Sequence, residues 1–301
     1  MNIYKLDVTE RNWWSLDKDD YEQRTARRPP WYKVSDEGKP LYFAVCPACN
    51  NPTQIIGLYK LPSNITAPYA KHYGKPVPRV GIYDREAYDW CPYSDHSKKN
   101  GGTKNKRSES LLSRQILELL ILHFDKIIWM LSDVTGISIN EKLVIEMLHQ
   151  YRKEEGWLYS QGTLMNVPWI FAYMTDYQNI LFKKIKDPAL LQAIIRESDD
   201  KIHAKENGFI VKNPSYENHL DIGVYYTNHS ISVAGHELTE KMDMVINIRD
   251  SGINPREIYR KTIIFNFNHF NSLINFSGWK KSPWNETLLN HAREILGKYI
   301  Y

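Results

Sequence analysis

Apolar residues recur at helical spacing through most of the chain beyond residue 107, and in short strand-like pieces before it. "LLSRQILELLILHFDKIIWML" (111–131) predicts a helix that Ser108 or Ser110 would cap. "SINE" (138–141) has the capping-box form, with Glu141 three residues after Ser138, and opens a second helix to about residue 154. "NVPWIFAYMTDYQNILFKKI" (166–185) has a proline in its first turn and stays apolar on more than one face. Asp187 and Pro188 open a fourth, "PALLQAIIRESDDKIHAKEN". Four helices with short connections predict a helical bundle.

Between about 208 and 249 the pattern changes to β, in "HLDIGVYY" and "KMDMVINI", and predicts a small hairpin or sheet. Helical signals return near "NPREIYRKTI" and in "SPWNETLLNHAREILGKYI", where Ser282 and Pro283 read as N-cap and first helical residue. Before residue 105 the chain is rich in Pro, Gly and Tyr, with strand-like "PLYFAV" (40–45) and "TQIIGLYKL" (53–61). The polar, basic stretch 97–110, with Gly101 and Gly102, reads as a joint. The expected fold is therefore α+β but mainly α. A small N-terminal module (1–105) of mixed structure precedes a helical-bundle domain (106–301) carrying a β insertion.

Composition shifts this picture only locally. Hydrophobic content of 42% and charged content of 25% are those of a globular protein. The net charge of +4 is uneven: residues 1–107 hold 18 Lys and Arg against 12 Asp and Glu, residues 108–301 hold 21 against 23. "RTARRPPWYK" (24–33) and "HSKKNGGTKNKR" (96–107) carry most of the excess. The start of the chain has no apolar signal-peptide core, and Arg114, Glu118, Asp125 and Lys126 interrupt the longest apolar run, so no membrane span is expected. Three cysteines cannot build a disulfide framework, and a reducing cytoplasmic setting fits them best.

All three cysteines lie in "AVCPACNNP" (44–52) and "YDWCPYSDHSKK" (88–99). Cys46 and Cys49 are spaced C-x-x-C, so one turn can point both sulfurs at one metal, and Asn50 tolerates the left-handed backbone such a turn often needs. Cys91, with His96 five positions later, supplies a second pair. Cys46, Cys49, Cys91 and His96 would form a Cys₃His structural Zn²⁺ site, closed to catalysis because all four positions come from protein. His72 is the alternative fourth ligand. A redox motif or inert buried cysteines are the other readings, and the βαβ context of a redox motif is missing.

Cationic side chains flank this site: Arg24, Arg27 and Arg28 upstream beside Trp31 and Tyr32, then Lys98, Lys99, Lys104, Lys106 and Arg107 downstream. Such cations neutralise phosphates and interleaved aromatics stack on bases, so DNA or RNA is the expected partner, with protein partners as the alternative. Elsewhere, Arg196 and His203 stand in a helix-predicted stretch. This spacing resembles the loose R-x₄₋₆-H pattern of HEPN-type ribonucleases, though Glu197 follows the arginine. The resemblance covers eight residues and implies an acid/base role for His203 and phosphate stabilisation by Arg196. His236-Glu237-x-x-Glu240 lacks the second histidine of a metalloprotease helix; its surroundings read as a strand pair, with His236 and Glu237 in an exposed turn. There is no P-loop, G-x-G-x-x-G or G-x-S-x-G. Trp157, Trp169, Phe171, Tyr173 and Tyr177 read as helix packing.

The expected function is a non-catalytic, zinc-stabilised nucleic-acid-binding adaptor within a larger assembly. A ribonuclease using Arg196 and His203, and a protein–protein scaffold, are the rivals.

Overall fold

A computed structural model describes residues 1–63, 65–94, 104–250, 254–275 and 284–300. In chain order its elements are β1 (Ile3–Tyr4), β2 (Trp14–Ser15), α1 (Lys18–Thr25), β3 (Tyr32–Val34), β4 (Pro40–Val45), β5 (Pro52–Ile56), β6 (Tyr69–His72) and α2 (Arg85–Asp89). Then come α3 (Leu111–Leu122), α4 (Phe124–Thr135), α5 (Glu141–Lys153), α6 (Val167–Tyr173), β7 (Gln178–Asn179), α7 (Pro188–Glu197), β8 (Ile202–Ala204) and β9 (Ile210–Lys212). The last are β10 (Leu220–Ala234), β11 (Glu237–Asp250), β12 (Arg256–Ile264), α8 (Phe267–Asn275) and α9 (Glu286–Leu296).

The expectation of a mainly helical bundle is wrong. About 33% of the described structure is helical and 28% strand, in four antiparallel sheets. The four-stranded sheet β12-β11-β10-β7 is the largest, and its two long strands pair from Leu220↔Asp250 to Ala234↔Glu237. The small hairpin expected near 208–249 is one pair within it.

Several helical expectations failed for identifiable reasons. "NPREIYRKTI" is strand β12, because its Ile258 and Ile263 bury against β11 and tertiary pairing overrides the helix preference of Arg, Glu and Lys. The 166–185 segment is helical only to Tyr173; Gln178 and Asn179 then pair with β10. The helix opened by Asp187, whose carboxylate accepts from Ala189 and Leu190 N–H, stops at Glu197. The 111–131 segment divides at His123 into α3 and α4. Caps differ also: Ser110 caps α3 reciprocally with Ser113, Asn140 rather than Ser138 caps α5, and Asn285 caps α9. Ser282 and Pro283 lie outside the described residues.

One buried cluster extends from Met1 to Leu296, with Trp169, Phe124, Phe171 and Tyr151 among its largest fully buried side chains. α9 packs on α3, α4 and α5, while α6 and α7 cover β10 and β12. The second four-stranded sheet, β3-β4-β5-β6, joins the same cluster through Ala44, Ile55 and Ala70; its other face buries Phe43 and Val45 against Val77 and Val80. Gln115 on α3 donates to Val8 O at 2.9 Å, and Asn271 on α8 to Trp13 O at 3.1 Å, so side chains from beyond the joint hold the backbone at Val8 and Trp13. No described helix is long and apolar enough to cross a membrane.

Candidate metal centre

The turn between β4 and β5 is built by Cys46–Asn51. Asn50 N–H donates to Cys46 O at 3.0 Å and Cys46 N–H to Asn51 O at 2.9 Å, with Asn50 in the left-handed region (φ 61°). This turn carries Cys46 and Cys49, both buried. β5 pairs antiparallel with β6 in the register Thr53↔His72, which returns His72 to the same place. Cys91 follows α2, and its N–H donates to Tyr88 O at 3.0 Å.

Asn51 fixes these parts together. It is fully buried; its Oδ1 accepts Asp84 N–H at 2.6 Å and its Nδ2 donates to Asp84 O at 3.0 Å. Asp84 caps α2 by accepting Ala87 N–H at 3.0 Å, so the first turn orients the helix that delivers Cys91. Asn51 Nδ2 also lies 3.4 Å from Cys49 Sγ, a second-layer contact of the sort that orients metal ligands.

The four ligand atoms of Cys46, Cys49, His72 and Cys91 all lie within 4.8 Å of one another. Cys46 Sγ is 3.8 Å from Cys91 Sγ, and His72 Nε2 is 3.3 Å from Cys49 Sγ and 3.6 Å from Cys91 Sγ. A tetrahedral Zn²⁺ with Zn–S of about 2.3 Å and Zn–N of about 2.0 Å requires S···S near 3.8 Å and S···N near 3.5 Å. The group could bind one metal ion, and its chemistry fits zinc. His72, the alternative in the sequence, occupies the fourth corner; His96 lies outside the described residues.

The electrostatics suit a cation. Burial disfavours the Cys46 thiolate, but hydrogen bonds from Cys49 and Cys91 and the His72 charge offset it and hold Cys46 well below the ordinary thiol range. Burial, then hydrogen bonding to Cys46 and Cys49, pushes Cys91 well above it. Burial opposes a charged His72, yet electrostatic attraction to Cys49 and Cys46 and hydrogen bonding to them hold it well above the usual imidazole range. Two buried cations feel the thiolates: Lys5, lowered to about 8 by burial, and Arg107, lowered to about 10 by burial. Lys5 Nζ donates to Val8 O and Glu10 O, and Arg107 to the carbonyls of Tyr159, Ser160 and Gly162. Three thiolates around Zn²⁺ leave one net negative charge, which such neighbours offset.

The expected phosphate contacts are scattered. Arg24 bonds Asp20 at 2.8 Å and lies 4.0 Å over the Trp14 ring; Arg27 pairs with Glu22; Arg28 is exposed. Lys104 sits 5.1 Å over the Tyr173 ring, Lys106 pairs with Glu155 at 3.0 Å, and Arg107 is buried. Lys98 and Lys99 lie outside the described residues. Arg196, on the last turn of α7, pairs with Glu197 at 2.9 Å, while His203 is exposed on β8, so the two stand on different elements.

One buried cluster has no counterpart in the sequence reading. A bulge at Thr227–Ser230, with Asn228 at φ 54°, turns His229 into the core. Its Nε2 lies 3.1 Å from Glu240 Oε2 and its Nδ1 3.0 Å from Tyr159 OH. Tyr159 donates to Gln161 Oε1 at 2.8 Å, and Asn166 Nδ2 donates to Glu240 Oε2 at 2.8 Å. No linear motif announces this set, because only the bulge and the loop before α6 bring it together.

Comparison with known protein families, with curated proteins and with solved structures gives no match.

Proposed function

We propose that Cys46, Cys49, His72 and Cys91 hold one structural Zn²⁺, and that the protein so stapled binds single-stranded nucleic acid on a tyrosine-lined surface of the β3–β4 edge. Four protein ligands leave the ion no open position, so its contribution is folding free energy rather than catalysis.

The observation that carries the second half is a row of rings ending in solvent. Tyr21, Tyr32, Tyr42 and Tyr59 follow one another at centroid separations of 5.7, 5.1 and 5.1 Å. Tyr59, at the open end, is 47% exposed. Arg27, Tyr32, Lys33, Tyr42 and Tyr59 line a shallow hollow of about 490 Å³. Open aromatic faces stack bases without regard to sequence, and rim cations track the backbone. Of the eight cations expected to contact phosphate, this reading retains Arg27, which lines the hollow while paired with Glu22, and adds Lys33.

Fluorescence anisotropy with short single-stranded DNA and RNA, at about 50 and 200 mM salt, tests it. Binding should weaken steeply with salt, and Tyr59→Ala should cost about 1–3 kcal/mol without loss of metal. Lys33→Glu should flatten the salt dependence by about one unit of slope. Absence of binding at low salt, or salt-insensitive association, rejects the reading.

A further inference from the structure

A second cleft, on the opposite edge of the same small sheet, has a different character. It is about 460 Å³, within the range of small-ligand sites. Its walls are β6, the residues following α2, and the turn between β10 and β11. Gly235, at φ 61°, makes that turn, and the His236 ring stacks on Tyr69 at 4.5 Å and 8°. The long hairpin is thereby docked on the sheet that holds the metal ligands, and His72 forms part of the cleft wall.

The lining is aromatic and basic. Tyr69, Tyr88 and Tyr93 contribute rings, Ser94 a hydroxyl, and exposed Lys71 a cation. Among the described residues, no carboxylate lines it. The hollow beside Trp13 and Trp14 differs on this point, since Asp17 and Asp20 face it. Burial lowers the pKa of His236, which makes its ring a neutral stacking and hydrogen-bonding partner. A ligand matched to these walls has a flat ring to lie among tyrosines and an anionic group to reach Lys71.

We infer that this cleft binds a nucleoside monophosphate, with the base among Tyr69, Tyr88, Tyr93 and His236 and the phosphate at Lys71. The inference deepens the nucleic-acid reading above and rests on it for the choice of a base as the flat ring. The same chemistry is presented by a free nucleotide and by the phosphorylated end of a strand. The closed metal centre holds His72 in the wall and takes no part in chemistry at the cleft.

Isothermal titration of the full zinc-loaded chain with adenosine 5′-monophosphate, adenosine and inorganic phosphate tests the assignment. The monophosphate should bind at one site, and each fragment should bind at least about tenfold more weakly. K71E, a surface change, should weaken monophosphate binding about tenfold. H236A should weaken it too, with zinc content and melting temperature measured in both variants to confirm folding. No saturable binding at millimolar monophosphate overturns the inference, as does binding that neither variant changes.

Two arms separate this from the strand reading. Tyr59→Ala should weaken oligonucleotides and leave monophosphate binding intact. Oligonucleotide binding without monophosphate binding overturns the cleft assignment alone; monophosphate binding without oligonucleotide binding overturns the strand surface alone. Competition by a 5′-phosphorylated oligonucleotide, but not its 5′-hydroxyl form, identifies a strand end as the ligand; competition by neither identifies the free nucleotide.

Discussion

His72 Nε2 lies 3.3 Å from Cys49 Sγ although 23 residues separate them. The contact follows from one strand register, Thr53 opposite His72, which folds β6 back alongside the turn that carries Cys46 and Cys49. Cys91 then arrives from a different direction, just after a helix whose N-cap Asp84 is held by Asn51. Three independent chain segments converge on one tetrahedral volume.

The ligand set can be tested by contrast. His72→Ala should abolish stoichiometric zinc, whereas His96→Ala should retain it. Asn51→Ala should weaken metal binding about 10–100-fold, the usual cost of losing an outer-layer partner. Competition with a chromogenic chelator reads all three.

The buried His229–Glu240 pair predicts a strong asymmetry between single and double substitution. Both side chains are fully buried. Glu240→Leu leaves His229 Nε2 without its partner and Asn166 Nδ2 with Gln161 O alone, and should cost about 3–5 kcal/mol in urea denaturation. Replacing both, with His229→Phe and Glu240→Leu, should cost clearly less than the single change, because apolar groups of similar shape need no partner.

His123, at the break between α3 and α4, gives a pH dependence. Burial, with help from the charges of Lys126 and Arg11, lowers its pKa from about 6.5 to about 4. The unfolded chain therefore takes up a proton first, and stability falls as pH drops from about 6.5 towards 4. Between pH 7 and pH 5 the wild type should lose on the order of 1–2 kcal/mol more than His123→Gln. Acid loss of metal affects both proteins alike, so the difference isolates the histidine. Equal losses would contradict the assignment.

How much of this could be read from the sequence depends on the range of the interactions. The C-x-x-C turn, the Ser110 and Asp187 caps and the position of α5 are local, and residue types a few positions apart specify them. Linear spacing left His96 and His72 both open as fourth ligand; the β5–β6 register brings His72 beside the cysteines, a long-range pairing that spacing does not show, and His96 lies outside the described residues. The fold class failed for the same reason. Residues 256–264 carry helix-favouring Arg, Glu and Lys, yet long-range pairing with β11 makes them a strand. Arg107 looked like a phosphate contact within a basic run; three carbonyls of the 159–162 loop bury it instead.

The most direct test of the account is the metal itself. Protein purified without chelator should carry one zinc per chain by inductively coupled plasma mass spectrometry, and its three cysteines should stay unreactive to a thiol reagent until a chelator strips the ion. Metal removal should also lower the melting temperature, since binding free energy is folding free energy here. Freely reactive thiols in metal-free protein of unchanged stability would contradict the central claim.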